Sequence, residues 1–254
     1  MREHISYSEI RIWSECPYKH KLKYIDKVDG FKGNEFTLFG TVVHNTCEKA
    51  LLTGSMDPST YFMISFLKEA EKLKEKGVVL DATLLTEMEK QGKHLSKKVM
   101  PALQEHFKEY EVFSTEEMLY ENVEEGLPKF KGYIDLVLKI GDIYHILDWK
   151  TCSWGWNARK KNNKLITYQL TLYKYFFAKK HNIDIKNIET HFALLKRTAK
   201  KNEVEIFRVS SGLKKVNNAL NLLKNATYNI SVKRYIKNRT SCDMCEFYQT
   251  AHCK

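Results

Sequence analysis

Two aspartates and a lysine stand where a buried strand calls for apolar side chains. Residues 132–151 read GYIDLVLKIGDIYHILDWKT. Two apolar runs, 133–140 and 143–149, flank Gly141-Asp142, a composition suited to the turn between two hairpin strands. Asp135, Asp148 and Lys150 interrupt these runs. A carboxylate buried without a partner is costly, so such residues are usually paired or hold a cation. Two acids on neighbouring strands can converge on one divalent ion through hard oxygen ligands. Asp148 and Lys150 are two residues apart and share one face of a strand. An ammonium beside a metal-bound water can hold that water and stabilise charge building on a phosphate. The plainer alternative is an Asp–Lys ion pair at a strand end, with Asp135 in a bulge.

A second group lies at the chain end, CDMCEFYQTAHCK, where Cys242, Cys245 and Cys253 are spaced C-x2-C-x7-C. A C-x-x-C hook followed by another cysteine is a metal-site signal with one ligand missing. Cys16, just before Pro17, is the candidate fourth. Four thiolates suit either an iron–sulfur cluster or zinc. Either would staple the first helix to the C-terminal tail. Cys47 and Cys152 read as small hydrophobes.

A third group is cationic. Residues 152–164, CSWGWNARKKNNK, put Trp154 and Trp156 beside Arg159, Lys160, Lys161 and Lys164. That mixture can stack bases and neutralise phosphates; the alternative is a solvated loop with its tryptophans packed inward. Over the whole chain, Lys+Arg 42 against Asp+Glu 31 gives a net charge of +11. Such an excess favours polyanions, nucleic acid first and an anionic membrane surface second. At 43% hydrophobic, the composition is that of a globular chain and excludes a disordered one. No apolar run approaches the roughly 18 residues of a membrane span, and the N-terminus lacks the apolar core of a signal peptide. A soluble, cytoplasmic protein is expected, with cysteines that are ligands or free thiols rather than disulfides.

The elements that must position these groups follow from periodicity. Ser6 with Glu9 fits a capping box opening a first helix, and Cys16-Pro17 ends it. Residues 18–24 are basic and aromatic. A helix is predicted over 36–52, with Gly40, Val43, His44, Cys47 and Leu51 on one side. His44 and Glu48, four apart, share its face, and His44 taken alone reads as a core residue. Gly40 would let this helix approach another backbone closely. Helices over 57–76 and 82–111, the second kinked or split at Pro101, read as an inserted layer. A strand over 118–123 carries Glu121. After the hairpin come a helix over 165–181 with Gln169 and Tyr173, strands over 191–197 and 204–209, and a helix over 213–229.

Together these residues resemble the RecB-like branch of the PD-(D/E)XK nuclease superfamily, which includes nuclease domains of helicase–nuclease repair complexes, CRISPR-associated adaptation nucleases and phage exonucleases. Gly40-x3-His44-x3-Glu48 resembles its first motif, Gly132-x2-Asp135 the second, and Leu147-Asp148-Trp149-Lys150-Thr151 the third. Gln169-x3-Tyr173 resembles the Q-x3-Y motif, which in the family supports the active site and contacts DNA. Cys16, Cys242, Cys245 and Cys253 resemble the ligands of a [4Fe–4S] cluster, although the x7 spacing is longer than the family's, and structural Zn²⁺ is the alternative.

The resemblance implies an α/β fold: a restriction-endonuclease-like core with a central mixed β-sheet flanked by helices, an inserted helical layer, and a cysteine staple joining the two ends. One nuclease domain over 1–254 is expected, with 1–35 and 230–254 forming the cluster ends, 55–113 the helical insertion and 114–212 the catalytic sheet core. It implies a metal-dependent DNA exonuclease acting on single strands or ends in recombination, repair or replication. Asp135, Asp148, His44 and the Trp149 carbonyl would hold Mg²⁺ or Mn²⁺, and Lys150 would act on the water. Glu48 and Glu121 would stand behind the ligands. Gln169, Tyr173, Trp154, Trp156, Arg159 and Lys160 would contact DNA. No helicase motif is present, so a helicase or recombination partner would be a separate subunit, and phage-encoded proteins acting in a bacterial host are among the relatives. The competing class is a non-catalytic nucleic-acid-binding or scaffold subunit.

Overall fold

The computed structural model describes residues 3–54, 57–243 and 245–254. The expected start of the helical insertion, residue 55, lies outside them. In chain order the elements are β1 (His4–Ser6), α1 (Tyr7–Glu15), α2 (Pro17–His20, running into a π turn at Lys21–Ile25), α3 (Glu35–Thr53), α4 (Pro58–Glu75) and α5 (Ala82–Phe107). Then come β2 (Glu111–Glu121), β3 (Lys129–Ile140), β4 (Ile143–Cys152), α6 (Ala158–Lys161), α7 (Lys164–His181), β5 (Ile188–Lys196), β6 (Val204–Arg208) and α8 (Leu213–Ser231). Among the described residues no helix is long and apolar enough to cross a membrane.

The strands form one mixed sheet. β2 and β4 pair antiparallel with β3, β5 runs parallel to β4, and β6 is antiparallel to β5. Alternation along the strands sends side chains to two cores. Ile146, Phe192 and Leu194 pack with Tyr168, Leu172 and Phe176 of α7 and with α8. Leu147, Trp149, Ala193 and Leu195 pack with α3, α4 and α5 on the other face. Helices α3, α4 and α5 together form that layer of the sandwich.

Three expectations are corrected here. Residues 4–6 form a strand, which three residues are too few to show as a period. β2 begins at Glu111, not near 118, because its first half is exposed and lacks an apolar alternation. Pro101 neither splits nor ends α5. It lies on the exposed side of that helix, where the carbonyl it frees meets water, while Val99 and Leu103 hold the buried side.

The insertion is tightly packed at Gly92 of α5. A Cβ there would lie 1.9 Å from Phe62 Cζ. Phe62 is fully buried, stacked on Phe66 at 5.4 Å between ring centroids and edge-on to Phe39 at 5.8 Å. The ring has nowhere to move, so Gly92→Ala is expected to cost about 1–3 kcal/mol through overpacking. The check is a lowered urea midpoint with an unchanged slope.

Candidate functional site

The site begins as a split in the sheet. β3 and β4 pair from Ile140↔Ile143 as far as Leu136↔Leu147. Beyond that point β4 stays with β5, through Asp148↔Phe192 and Lys150↔Leu194. β3 stays with β2, and its edge on the β4 side is taken up again by β1 at residues 129–131. Residues 132–135 are left facing a gap, with Asp135 at its mouth. Asp148 and Lys150 line the opposite wall.

Backbone geometry explains how the gap is held. The Trp149 N–H, left without a β3 partner, donates to Asp135 Oδ2 at 2.6 Å. In a strand the N–H and C=O of one residue point to the same edge, so the Trp149 carbonyl also faces the gap. Asp148 and Lys150 lie on the α7 side of β4, and Lys150 Nζ is 2.5 Å from Asp148 Oδ2. Asp148 is 2% exposed, with the Lys150 ammonium as its cation partner. Burial raises its pKa to about 6, against the pull of Lys150 and with the help of the Asp135 charge.

α3 supplies His44 from above. Its Nδ1 is 3.6 Å from Asp135 Oδ2, and 28% of the side chain is open to solvent. Burial opposes its charge, but Asp135 and Asp148 outweigh burial and raise its pKa. Gly40, one turn earlier, lies against β4: a Cβ there would be 3.3 Å from Thr151 Oγ1. The close approach expected of that glycine is thus made to the strand bearing Asp148 and Lys150.

α7 supplies the floor. Gln169 Nε2 donates to the Tyr173 hydroxyl at 3.1 Å. Tyr173 is buried, and burial together with the charges of Asp148 and Asp135 raises its pKa. A Cβ at Gly132 would meet its ring at 2.7 Å. Gly132 is therefore the residue that lets Tyr173 lie under β3, next to the acids.

One acid in this region was not singled out in the sequence. Glu116 sits on β2 between Thr115↔Leu136 and Glu117↔Ile134, the position facing Asp135, and its φ is +47°. Burial and then the charges of Asp135 and Glu48 raise its pKa, with His44 opposing them. Its strand lacks an alternation, so only the register reveals the pairing. Glu121, the acid read as standing behind the ligands, lies opposite Phe130, five residues from Asp135 along β3.

The two tryptophans separate. Trp154 is 78% exposed. Trp156 packs into the core, 5.3 Å from Phe192 and 6.3 Å from Phe207, with Lys160 Nζ 4.8 Å over its ring. Its ring is half-buried, whereas Trp154 projects into solvent. Arg159 and Lys160 lie exposed on α6, and the neighbouring Lys161 pairs with Glu205.

The chain ends meet far along the fold. Cys16, Cys242, Cys245 and Cys253 line one small cavity, all as free thiols. The backbone N–H groups of Lys19 and Asn238 approach Cys16 Sγ at 3.5 and 3.4 Å. Tyr18 N–H donates to the Ile236 carbonyl, and Asn238 Nδ2 to that of Glu15, fastening the two ends side by side.

The family model of the PD-(D/E)XK nuclease superfamily matches residues 4–250. The chain belongs to this superfamily. Among solved structures, the chain resembles a "Putative exonuclease" from Eubacterium rectale with a TM-score of 0.61 at 13% identity, covering 98% of this chain and 89% of the other. It also matches SSO0001 with a TM-score of 0.44 at 10% identity, over 97% and 85% of the two chains. No curated protein matches the sequence. At 13% identity the Eubacterium rectale structure speaks for the overall fold alone.

Proposed function

We propose that this PD-(D/E)XK chain is a metal-dependent DNA nuclease of the RecB-like branch, an exonuclease on single-stranded DNA or DNA ends. The observation that carries the reading is the meeting of Asp135, Asp148, Lys150 and His44 where β3 and β4 part. The donors suit a hard divalent ion: two carboxylates, one of them buried, an imidazole, and the edge carbonyl of Trp149. Mg²⁺ or Mn²⁺ held there would lower the pKa of a bound water and polarise the scissile phosphate. The Trp149 N–H fixes the Asp135 carboxylate. Lys150, held by Asp148, directs its ammonium at the attacking water and at charge developing on the phosphate oxygens. Trp154, Arg159 and Lys160 receive the DNA strand on the exposed side, and Gln169 and Tyr173 shape the floor beneath it.

Glu48 and Glu116 form an outer acid pair around the ligands. Glu116→Gln is expected to weaken the Mg²⁺ or Mn²⁺ dependence of cleavage about tenfold without abolishing it, the usual size of an outer-sphere effect. A metal titration of the cleavage rate checks this, and an unchanged half-saturating concentration would remove Glu116 from the site.

The cysteine cavity suits a [4Fe–4S] cluster: four thiols line one space, and backbone N–H groups point at the one nearest the N-terminus. Structural zinc is the competing occupant. In this reading a helicase or recombination partner supplies any unwinding of the DNA. The deciding experiment is digestion of end-labelled single-stranded and duplex DNA with Mg²⁺, Mn²⁺ or EDTA. Metal-dependent shortening from the ends is expected. Internal fragments appearing first would make the protein an endonuclease, and binding without cleavage would make it a non-catalytic DNA-binding subunit.

A further inference from the structure

A second ligand set lies on the other face of the sheet. His145 stands near the start of β4, beside its register partner Glu189 on β5, with His191 two residues further along β5. His145 shares the face of Leu147 and Trp149, which pack under the helical insertion, whereas Asp148 and Lys150 face α7. His145 and Asp148 are also about 10 Å apart along the strand, at about 3.3 Å per residue. The set is therefore separate from the nuclease site.

Its geometry is that of an ion's coordination shell. His145 Nδ1 and His191 Nε2 are 3.1 Å apart, and Glu189 Oε2 is 3.7 Å from the first and 3.8 Å from the second. The circle through three atoms so spaced has a radius of about 2.1 Å, the length of a zinc–nitrogen or zinc–oxygen bond. Glu189 Oε2 is too far from either ring to form a hydrogen bond with it. Arg208 Nη2, 2.8 Å from the other oxygen Oε1, holds the carboxylate so that Oε2 faces the rings. Phe107 at the end of α5 packs against both imidazoles, at 5.2 and 5.3 Å between centroids. The two facing ring nitrogens share a hydrogen bond, one donating to the other, and a bound ion would take the place of that proton. His106, exposed on α5 with its ring centroid 6.0 Å from that of His191, leaves the outer flank for a water or for its own ring.

We infer that His145, Glu189 and His191 bind one borderline divalent transition ion, of which zinc is the representative, tying β4 to β5 beneath α5. Two imidazoles and one carboxylate with an open fourth position suit zinc and disfavour Mg²⁺, which prefers oxygen and octahedral geometry.

The test uses the full chain, stripped with chelator and kept in Mg²⁺ to fill the acid site. Zn²⁺ and Co²⁺ are titrated into the wild type, Glu189→Gln and His145→Asn. Glu189→Gln keeps the Arg208 contact and is the variant expected to fold. In the wild type, Co²⁺ should give visible d–d absorption beyond any sulfur-to-cobalt band from the cysteines, and Zn²⁺ should raise the unfolding midpoint beyond any rise that the cysteine site gives. Both variants should bind at least tenfold more weakly there and lose the midpoint rise. A Co²⁺ spectrum of thiolate type alone, or Zn²⁺ stoichiometry and midpoint unchanged in a folded Glu189→Gln, would overturn the proposal.

Discussion

Asp148→Asn and Lys150→Ala each lower metal-dependent DNA cleavage by about 10³-fold or more, while DNA binding changes little. The magnitude is that expected when a group acting on the developing charge is removed from a water-poor site. Asp148 is buried beside Asp135 and Lys150, so Asp148→Asn removes a ligand charge and leaves Lys150 without its partner. Lys150→Ala leaves a nearly buried carboxylate with no cation beside it. Neither side chain belongs to the exposed surface carrying Trp154, Arg159 and Lys160, so the strand should still bind. The pH profile has a definite sign. Asp148, raised to about 6, must be ionised to hold a cation, so cleavage at limiting metal should rise as pH climbs through that region, and saturating metal should shift the rise to lower pH. End-labelled substrates and a filter-binding assay on the same preparations separate the two effects. Cleavage retained in both variants would remove the hairpin from the mechanism.

Cys242→Ser, or the pair Cys242→Ser and Cys245→Ser, is expected to abolish the brown colour of protein purified without oxygen and to lower its thermal midpoint markedly. Binding free energy at a metal site that does not pre-exist in the unfolded chain contributes to folding, so its loss costs several kcal/mol. The ends are joined otherwise by polar contacts such as Lys23 Nζ to Glu246 Oε1 at 3.1 Å and Tyr18 Oη to the His252 carbonyl at 3.2 Å. Cys47→Ser serves as the control, because Cys47 is buried in the other core and its thiol is held protonated by burial. A colourless wild type containing stoichiometric zinc would replace the cluster with a structural zinc site. A thermal midpoint unchanged in the double variant would show that the staple contributes nothing to folding.

The acid–acid–lysine hairpin was legible because an ionisable group in an apolar strand departs sharply from the local pattern. Turn chemistry at Gly141, which takes φ +56°, gave its register. Helices α3, α4 and α7 were legible from their period, and the structure adds the caps Asp57 and Asn163, whose side chains accept from the first turns of α4 and α7. The C-x-x-C spacing and Cys16 marked the two ends as partners. The packing of Trp156 was less legible, because nothing in its polar neighbours points to Phe192 on β5 and Phe207 on β6.

What the sequence determined by itself was the kind of chemistry: which groups are out of place in an apolar segment, and which pairs a strand or helix period puts on one face. These are consequences of local geometry, and local geometry is written in neighbouring residues. The tertiary structure alone decided where β3 and β4 part, since that depends on β1, some 125 residues earlier, taking the vacated edge of β3. It alone set Glu116 opposite Asp135, and brought His145 to Glu189 and His191 across a parallel pairing. Those contacts join segments whose separation in the chain carries no period, so they arise only when the sheet closes.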